Sequence, residues 1–226
     1  MRFRRGNRVV LQKAACRPAL ESRADVPSDE ILDDDSSTSG GSLTIRPRVA
    51  VTNITAGRIY VRTQPGNRAK GWLVAGPQAI PVALGRAGIA ANKREGDGAT
   101  PRGEFHPVKL WWRADRAAPL ATLLARRRIG PDDAWCEDPA DRRYNRPLRR
   151  AGGEAGDRLW RTDHLYDFII EIDHNTRPRI ARRGSAVFLH VARPDLRPTA
   201  GCIALDTRRL RWLIGRLGPR TVIDIR

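Results

Sequence analysis

A cysteine and a histidine in the C-terminal part of the chain have the residue types that nucleophilic catalysis needs. Cys202 directly follows Gly201, and His190 lies upstream in the apolar run Ser185–Val191. If the two segments are neighbouring strands, the thiol and the imidazole can lie side by side at one end of a sheet. A free thiol has a pKa of about 8.5, so it needs an adjacent base, such as an imidazole, to react at neutral pH. The competing interpretations are an inert buried cysteine and a histidine packed within a strand.

The glycine before the cysteine favours a catalytic interpretation over a packing one. Because glycine has no Cβ, a substrate carbonyl can approach the backbone at Gly201 closely. We expect the backbone N–H groups of Gly201 and Cys202 to face the oxyanion that forms when a thiol attacks a carbonyl. His190 would take the thiol proton and later protonate a leaving amine.

The remaining cysteines and histidines do not form a metal-binding pattern. Cys16 and Cys136 are widely spaced, and the chain contains no CxxC pair, so we expect no metal, no cofactor and at least one free thiol. Cys136 has no histidine nearby in sequence, which favours a structural role. His164 and His174 flank a predicted central strand and are candidate residues of a substrate cleft. A surface or scaffold role is the alternative for both histidines.

Short apolar runs separated by Gly and Pro predict the strands that would position these residues. In an extended Ser185–Val191, alternation places Ala186, Phe188 and His190 on one face of the sheet. Val187, Leu189 and Val191 then face the other way. The predicted strands are Arg58–Thr63, Gly71–Ala75, Ala79–Leu84, Leu165–Ile172, Ser185–Val191, Cys202–Leu205 and Thr221–Ile225.

One helix is predicted late in the chain. Apolar residues at i, i+3, i+4 and i+7 run from Leu210 to Leu217, with arginines between them. Asp206 or Thr207 can cap its start, and Gly218-Pro219 would stop it. Together with the strands, this pattern predicts a mainly β, sandwich-like fold with one clear late helix.

Upstream, Thr100, Pro101 and Gly103 have the spacing of a type I turn that begins at Thr100. By spacing alone, the segment around it is a hairpin connection. It contains the sequence GDGATPRGEF, residues 96–105.

Composition restricts the domain organisation and the class of protein. The chain has 226 residues and a formal net charge of +17, and no apolar run reaches the length of about 18 residues that a transmembrane helix needs. We expect residues 1–43 to be a disordered extension that ends in an acidic Ser/Gly-rich linker, and residues 44–226 to form the folded domain. The charges of residues 1–42 cancel, so the domain carries the positive charge.

A strongly basic domain favours acidic partners, including nucleic acid, anionic lipid and carboxylate-bearing polymers. The arginines are spread along the chain, and aromatic residues make up only 6% of it. This distribution argues against nucleic acid as the partner, since nucleic-acid-binding domains cluster basic residues with aromatics. A non-catalytic basic module that binds glycopeptide or nucleic acid stays the alternative to an enzyme.

Three segments together resemble the L,D-transpeptidase catalytic domain family, also called the YkuD family. They are GDGATPRGEF (96–105), GSAVFLH (184–190) and TAGCIAL (199–205), and the likeness runs from about Thr44 to Arg226. The resemblance implies a β-rich sandwich in which Cys202 is the nucleophile and His190 the base. Gly201 matches the glycine before the cysteine, and Thr199 matches a hydroxyl residue that lines the site.

The chain also departs from the commoner motif of this family. That motif reads Ser/Thr-His-Gly-Cys, followed by an apolar residue and then Arg or Asn. Ala200 replaces the motif histidine here, and Ala204 replaces the polar residue after the cysteine. These changes retain the nucleophile and the base but remove polar groups beside them, as in a divergent branch of the family.

The resemblance implies a peptidoglycan L,D-transpeptidase that acts on tetrapeptide stems in cell wall biogenesis. An L,D-carboxypeptidase would use the same residues with water as the acceptor, so the sequence leaves both activities open. The substrate implies the periplasm or cell envelope. The basic start MRFRR is followed by an apolar run too short for a readable secretory signal, which leaves a cytoplasmic location open. The sequence predicts no oligomeric state.

Overall fold

The computed structural model describes residues 56–150 and 156–226, and these residues form many short strands and a single helix. The predicted extension over residues 1–43 lies outside the described residues. Among the described residues, no helix is long and apolar enough to cross a membrane. The prediction of a mainly β, sandwich-like fold with one late helix is confirmed.

The strands are β1 (Arg58–Gln64), β2 (Asn67–Ala75), β3 (Gln78–Ala83), β4 (Ile89–Ala90), β5 (Thr100–Pro101), β6 (Gly103–Phe105), β7 (Pro107–Trp112), β8 (Ala125–Arg128), β9 (Asp133–Trp135), β10 (Pro147–Arg149), β11 (Asp157–Arg158), β12 (Phe168–Ile172), β13 (Phe188–Val191), β14 (Ile203–Leu205) and β15 (Val222–Ile225). The helix α1 spans Thr207–Ile214 and lies between β14 and β15.

One large sheet organises the domain. Its ten strands lie in the order β6-β15-β1-β2-β3-β14-β13-β12-β7-β8, beside a small sheet β10-β9-β11 and the pair β4-β5. At its centre β13 pairs in parallel with β14 and antiparallel with β12. This centre carries both predicted catalytic residues, because His190 lies in β13 and Cys202 immediately precedes β14.

The two faces of the central strand bury different clusters of side chains. Val187, Leu189 and Val191 pack into the larger core, which also contains the buried face of α1. Ala186 and Phe188 pack into a second cluster on the other side of the sheet, together with Cys202. The predicted alternation is confirmed within β13, where Phe188 and His190 lie on the same side as the cysteine. The predicted strand begins too early, because Ser185–Val187 precede β13 and Ala186 has a positive φ of 50°.

The helix follows the prediction at its start and ends earlier than predicted. The Asp206 carboxylate accepts the Arg209 N–H at 3.0 Å, which is the N-cap geometry expected of this residue type. Leu210, Leu213 and Ile214 are fully buried. The helix ends at Ile214 instead of continuing to Gly218. The Arg216 N–H bonds the Leu213 carbonyl in a tight turn, which still keeps Leu217 buried.

The type I turn predicted at Thr100 was wrong. The Thr100 N–H donates to the Gly88 carbonyl at 2.8 Å and the Arg102 N–H to the Ala90 carbonyl at 2.9 Å, so the segment is extended. Thr100–Pro101 pairs in parallel with Ile89–Ala90. Proline and glycine at these positions fit a strand end as well as a turn, and partners distant in sequence decide between the two.

Truncating the helix core is expected to destabilise the domain. We predict that Leu213→Ala lowers the free energy of unfolding by about 2–5 kcal/mol, because a fully buried leucine leaves a cavity behind. Arg208→Ala, on the exposed face of the same helix, should change it by less than about 0.5 kcal/mol. Urea unfolding followed by circular dichroism measures both, and equal effects would contradict the packing described for α1.

Candidate active site

The register of β13 and β14 brings the thiol and the imidazole to the same cavity. His190 lies opposite Ala204, and one step earlier Leu189 lies opposite Ile203. Continuing this register puts Cys202 beside Phe188, whose N–H points to Cys202 Sγ at 3.3 Å. Residues two apart in a strand share a face, so Cys202 and His190 are diagonal neighbours. Both line a cavity of about 810 Å³, which we call the Cys202 cleft.

The Cys202 thiol lies in a protected position at the base of this cleft. The residue is 8% exposed, and Sγ donates to the Ala186 carbonyl at 3.1 Å. Burial raises the pKa of the thiol to about 12, and the nearby carboxylates of Asp157 and Glu137 act in the same direction. The sulfur is therefore protonated at neutral pH and needs a base at the moment of attack.

His190 is held in the protonation state and tautomer of a base. Its Nδ1 lies 2.8 Å from the Val191 carbonyl oxygen, which can only accept, so Nδ1 carries the proton and Nε2 keeps a free lone pair. Burial lowers the pKa of the ring to about 4. At neutral pH the site thus pairs a neutral thiol with a neutral imidazole, so the thiol proton has to pass to the imidazole as the sulfur attacks.

Tyr166 supports the imidazole, and sequence reasoning missed it. Its ring packs edge-on against the rings of His190 and Phe188, at centroid distances of 5.3 and 6.3 Å. The Tyr166 hydroxyl donates to the Asp157 carboxylate at 2.6 Å. The sequence feature that points to Tyr166 is its position just before strand β12, two residues after His164.

Thr199 holds the turn that presents the cysteine. Its hydroxyl donates to the Cys202 carbonyl at 2.6 Å and accepts the Gly201 N–H at 3.1 Å. Gly201 has φ +151°, and a methyl group built on it would lie 2.8 Å from the Ala99 carbonyl oxygen. A side chain is therefore strained at this position. Thr199 lines the Cys202 cleft, as its predicted place near substrate requires.

In this structure one of the two predicted oxyanion donors already has a partner within the turn. The Gly201 N–H is not free to face a substrate, because it already donates to the Thr199 hydroxyl. The Cys202 N–H remains as the backbone donor of the predicted pair. The sequence could not show this, since the partner of the Gly201 N–H depends on how the turn folds back on Thr199.

The two other histidines predicted as cleft candidates do not line the Cys202 cleft. His164 is exposed, has a positive φ of 64° and pairs with the Asp167 carboxylate at 2.8 Å. His174 bonds the Arg183 carbonyl at 3.1 Å and packs edge-on against Phe105. Burial lowers the pKa of His174, which favours the neutral ring. Both histidines therefore lie outside the Cys202 cleft in this structure.

Cys136 lies apart from the cleft in a small apolar cluster with Ala134 and Leu148. Its thiol is free and buried, and burial raises its pKa. Within residues 56–150 and 156–226, no three His, Cys, Asp or Glu side chains are grouped closely enough to hold a metal ion.

Both signs of charge line the Cys202 cleft. Arg161 and Arg193 lie close enough to His190 to disfavour its protonated form electrostatically. Asp157 and Glu137 lie close enough to Cys202 to disfavour its thiolate electrostatically. The charged residues of the lining are Lys93, Glu95, Glu137, Asp157, Arg161, Arg193 and Arg197.

The fold and the cleft define a mainly β domain with a thiol and an imidazole in one cavity. A family model described as the L,D-transpeptidase catalytic domain (YkuD) matches residues 47–225. The chain belongs to this family, as the resemblance of its three motifs predicted, and it is an L,D-transpeptidase-type enzyme. No curated protein and no solved structure matched the chain.

Proposed function

We propose that this protein is a peptidoglycan L,D-transpeptidase that works through an acyl-enzyme on Cys202. The observation that carries the proposal is the placement of Cys202 and His190 on one face of adjacent strands, in one cleft, with the lone pair of His190 Nε2 available. The membership of the YkuD family supplies the reaction class.

The reaction begins with attack of the Cys202 sulfur on the carbonyl of the third, diamino-acid residue of a tetrapeptide stem. His190 takes the thiol proton, and the carbonyl electrons move to oxygen, facing the Cys202 N–H. Collapse of this intermediate breaks the peptide bond, and the terminal D-alanine leaves with the proton from His190. The product is a thioester on Cys202.

A second stem then resolves the thioester. Its amine attacks the carbonyl, His190 removes a proton from that amine, and the Cys202 thiol is restored as the crosslink forms. Water in place of the amine gives an L,D-carboxypeptidase product from the same acyl-enzyme. The two outcomes share every residue named so far, so only the acceptor distinguishes them.

The charges of the cleft support this substrate class. A peptidoglycan stem carries carboxylates and a free ammonium group within a few bonds of the carbonyl that reacts. Arg193 offers a partner for a carboxylate, and Arg161 and Arg197 add positive charge although they also pair with Asp163 and Asp195. Glu95 and Glu137 offer partners for an ammonium. On this proposal the protein works where peptidoglycan is accessible, in the periplasm or cell envelope.

The decisive test of this function is incubation of the purified protein with disaccharide-tetrapeptide, followed by mass spectrometry. We expect release of D-alanine together with a crosslinked dimer of disaccharide peptides. Disaccharide-tripeptide without dimer would reassign the protein as an L,D-carboxypeptidase. If neither product forms and the protein instead retains glycopeptide or DNA in a salt-sensitive way, the non-catalytic basic module is favoured.

A further inference from the structure

Lys93 is a buried cation in the Cys202 cleft for which the mechanism has no role so far. It is 6% exposed. Its ammonium donates to the Asp97 carboxylate at 2.6 Å and to the Arg94 carbonyl at 2.7 Å. A lysine ammonium has three N–H donors, so two partners leave one donor for the cleft. Lysines are almost never this buried without a specific partner, so the surrounding structure must hold this side chain in a defined position.

The loop of residues 93–99 is built around the Asp97 carboxylate and fixes Lys93. Asp97 accepts the Arg94 N–H at 2.7 Å and the Ala99 N–H at 2.8 Å, besides the ammonium of Lys93. Gly96 and Gly98 take left-handed conformations, with φ of 74° and 69°, that close the loop on this carboxylate. The GDG sequence thus serves to hold one ammonium in place.

The held side chain runs between the two segments that form the nucleophile site. A methyl group built on Gly201 would lie 3.6 Å from Lys93 Cε. One built on Gly184 would lie 3.2 Å from the same carbon. Gly184 leads into the segment whose Ala186 carbonyl accepts the thiol, and Gly201 precedes Cys202. The stem of Lys93 therefore passes beside both segments, and its charge lies close enough to the thiol to favour the thiolate.

The site needs such a charge. Because the Gly201 N–H is committed to Thr199, the predicted pair of backbone donors is reduced to the Cys202 N–H. The carboxylates Asp157 and Glu137 act against negative charge on the sulfur, whereas Lys93 acts in its favour. A negative charge that develops in a low-dielectric cleft requires a fixed donor or cation beside it.

We propose that Lys93 is a catalytic residue that stabilises negative charge at Cys202, first on the sulfur as it loses its proton and then on the carbonyl oxygen. The ammonium keeps its three protons throughout. The thiol proton goes to His190, the S–C bond forms, the carbonyl electron pair moves to oxygen next to Lys93, and it returns as the peptide C–N bond breaks. Asp97 is the positioning residue that aims the ammonium.

The oxyanion part of this inference rests on the proposed function, whereas the effect on the sulfur can be tested without any peptidoglycan. In protein whose only thiol is Cys202, through Cys16→Ser and Cys136→Ser, the rate of alkylation by iodoacetamide reports the thiolate fraction. Lys93→Met removes the charge and keeps the apolar stem. Lys70→Met, on β2 and outside the cleft lining, is the matched control.

We expect Lys93→Met to lower the alkylation rate at pH 8 by about threefold or more, because loss of a nearby cation disfavours the thiolate. Lys93→Arg should retain a larger share of the rate than Lys93→Met, and Lys70→Met should leave it unchanged. With disaccharide-tetrapeptide, acylation by Lys93→Met should fall by roughly 10²–10³-fold, the usual effect of losing one oxyanion donor.

An alkylation profile of folded Lys93→Met that matches the parent between pH 6 and 10 would overturn the proposal. If Lys93→Met does not fold, the pair Lys93→Met with Asp97→Asn removes both charges and leaves no buried carboxylate unpaired, and the same comparison applies. Failure of the parent to react with stems, with the alkylation effect intact, would instead remove the proposed function and leave the electrostatic role of Lys93 standing.

Discussion

Cys202→Ala is expected to abolish acyl-enzyme formation and to lower turnover by a factor on the order of 10⁴–10⁶, as for other enzymes deprived of their nucleophile. The reason is geometric, because Cys202 is the described thiol that lines a cleft with an imidazole. Cys136→Ser should retain acylation, since Cys136 is buried in an apolar cluster away from that cleft.

The measurement is the intact mass of each purified variant after exposure to a carbapenem, a reactive acylating agent. The parent and Cys136→Ser should each gain the mass of one adduct. Cys202→Ala should gain none while it keeps the thermal unfolding transition of the parent. An adduct that persists in Cys202→Ala and disappears in Cys136→Ser would show that the nucleophile is Cys136 and not Cys202.

His190→Gln should slow acylation by about 10²–10⁴-fold, the usual contribution of a general base. The structure also predicts the pH dependence. His190 has a pKa of about 4, so the parent rate should rise through that pH as the ring loses its proton and then stay level through neutral pH. Without the base, only thiolate reacts. The rate of the variant should therefore keep climbing with pH up to about 10, because the pKa of the buried thiol is about 12.

His164→Gln provides the control, since His164 is exposed and outside the cleft lining. It should leave both the rate and the pH profile unchanged. A packed strand histidine would behave differently from a base. His190→Gln would then lose stability, but its activity per folded molecule and its level pH profile would match those of the parent.

Strand pattern was the part of the fold most readable from sequence. Alternation along Ser185–Val191 has a period of two, and a central strand with both faces buried selects one register for it. The position of His190 on the face shared with Phe188 followed directly. The ends of elements were less readable. Helix α1 stops at Ile214 because a local turn bonds the Arg216 N–H to the Leu213 carbonyl. Thr100–Pro101 extends into a strand because its hydrogen-bond partners lie elsewhere in the sequence.

The candidate site was readable only in part for a related reason. Cys202 and His190 lie close in sequence, and a thiol and an imidazole are a known catalytic combination. Their pairing could therefore be predicted from the single assumption that their strands are adjacent. Lys93, Asp157 and Tyr166 reach the cleft from separate segments, and no spacing rule connects them to the cysteine. The fate of the Gly201 N–H likewise depended on a side chain, Thr199, whose hydroxyl could have pointed elsewhere.

Mapping the covalent intermediate on the enzyme tests the assignment of Cys202 as the nucleophile most directly. The protein is mixed with disaccharide-tetrapeptide, quenched in acid within the first turnover and digested, and the peptides are read by tandem mass spectrometry. We predict that Cys202 carries the disaccharide-tripeptide acyl group as a thioester, one D-alanine being released per acyl group. A crosslinked or hydrolysed product that forms while Cys202 stays unmodified, or an acyl group mapped to any other residue, would contradict the assignment of Cys202 as the nucleophile.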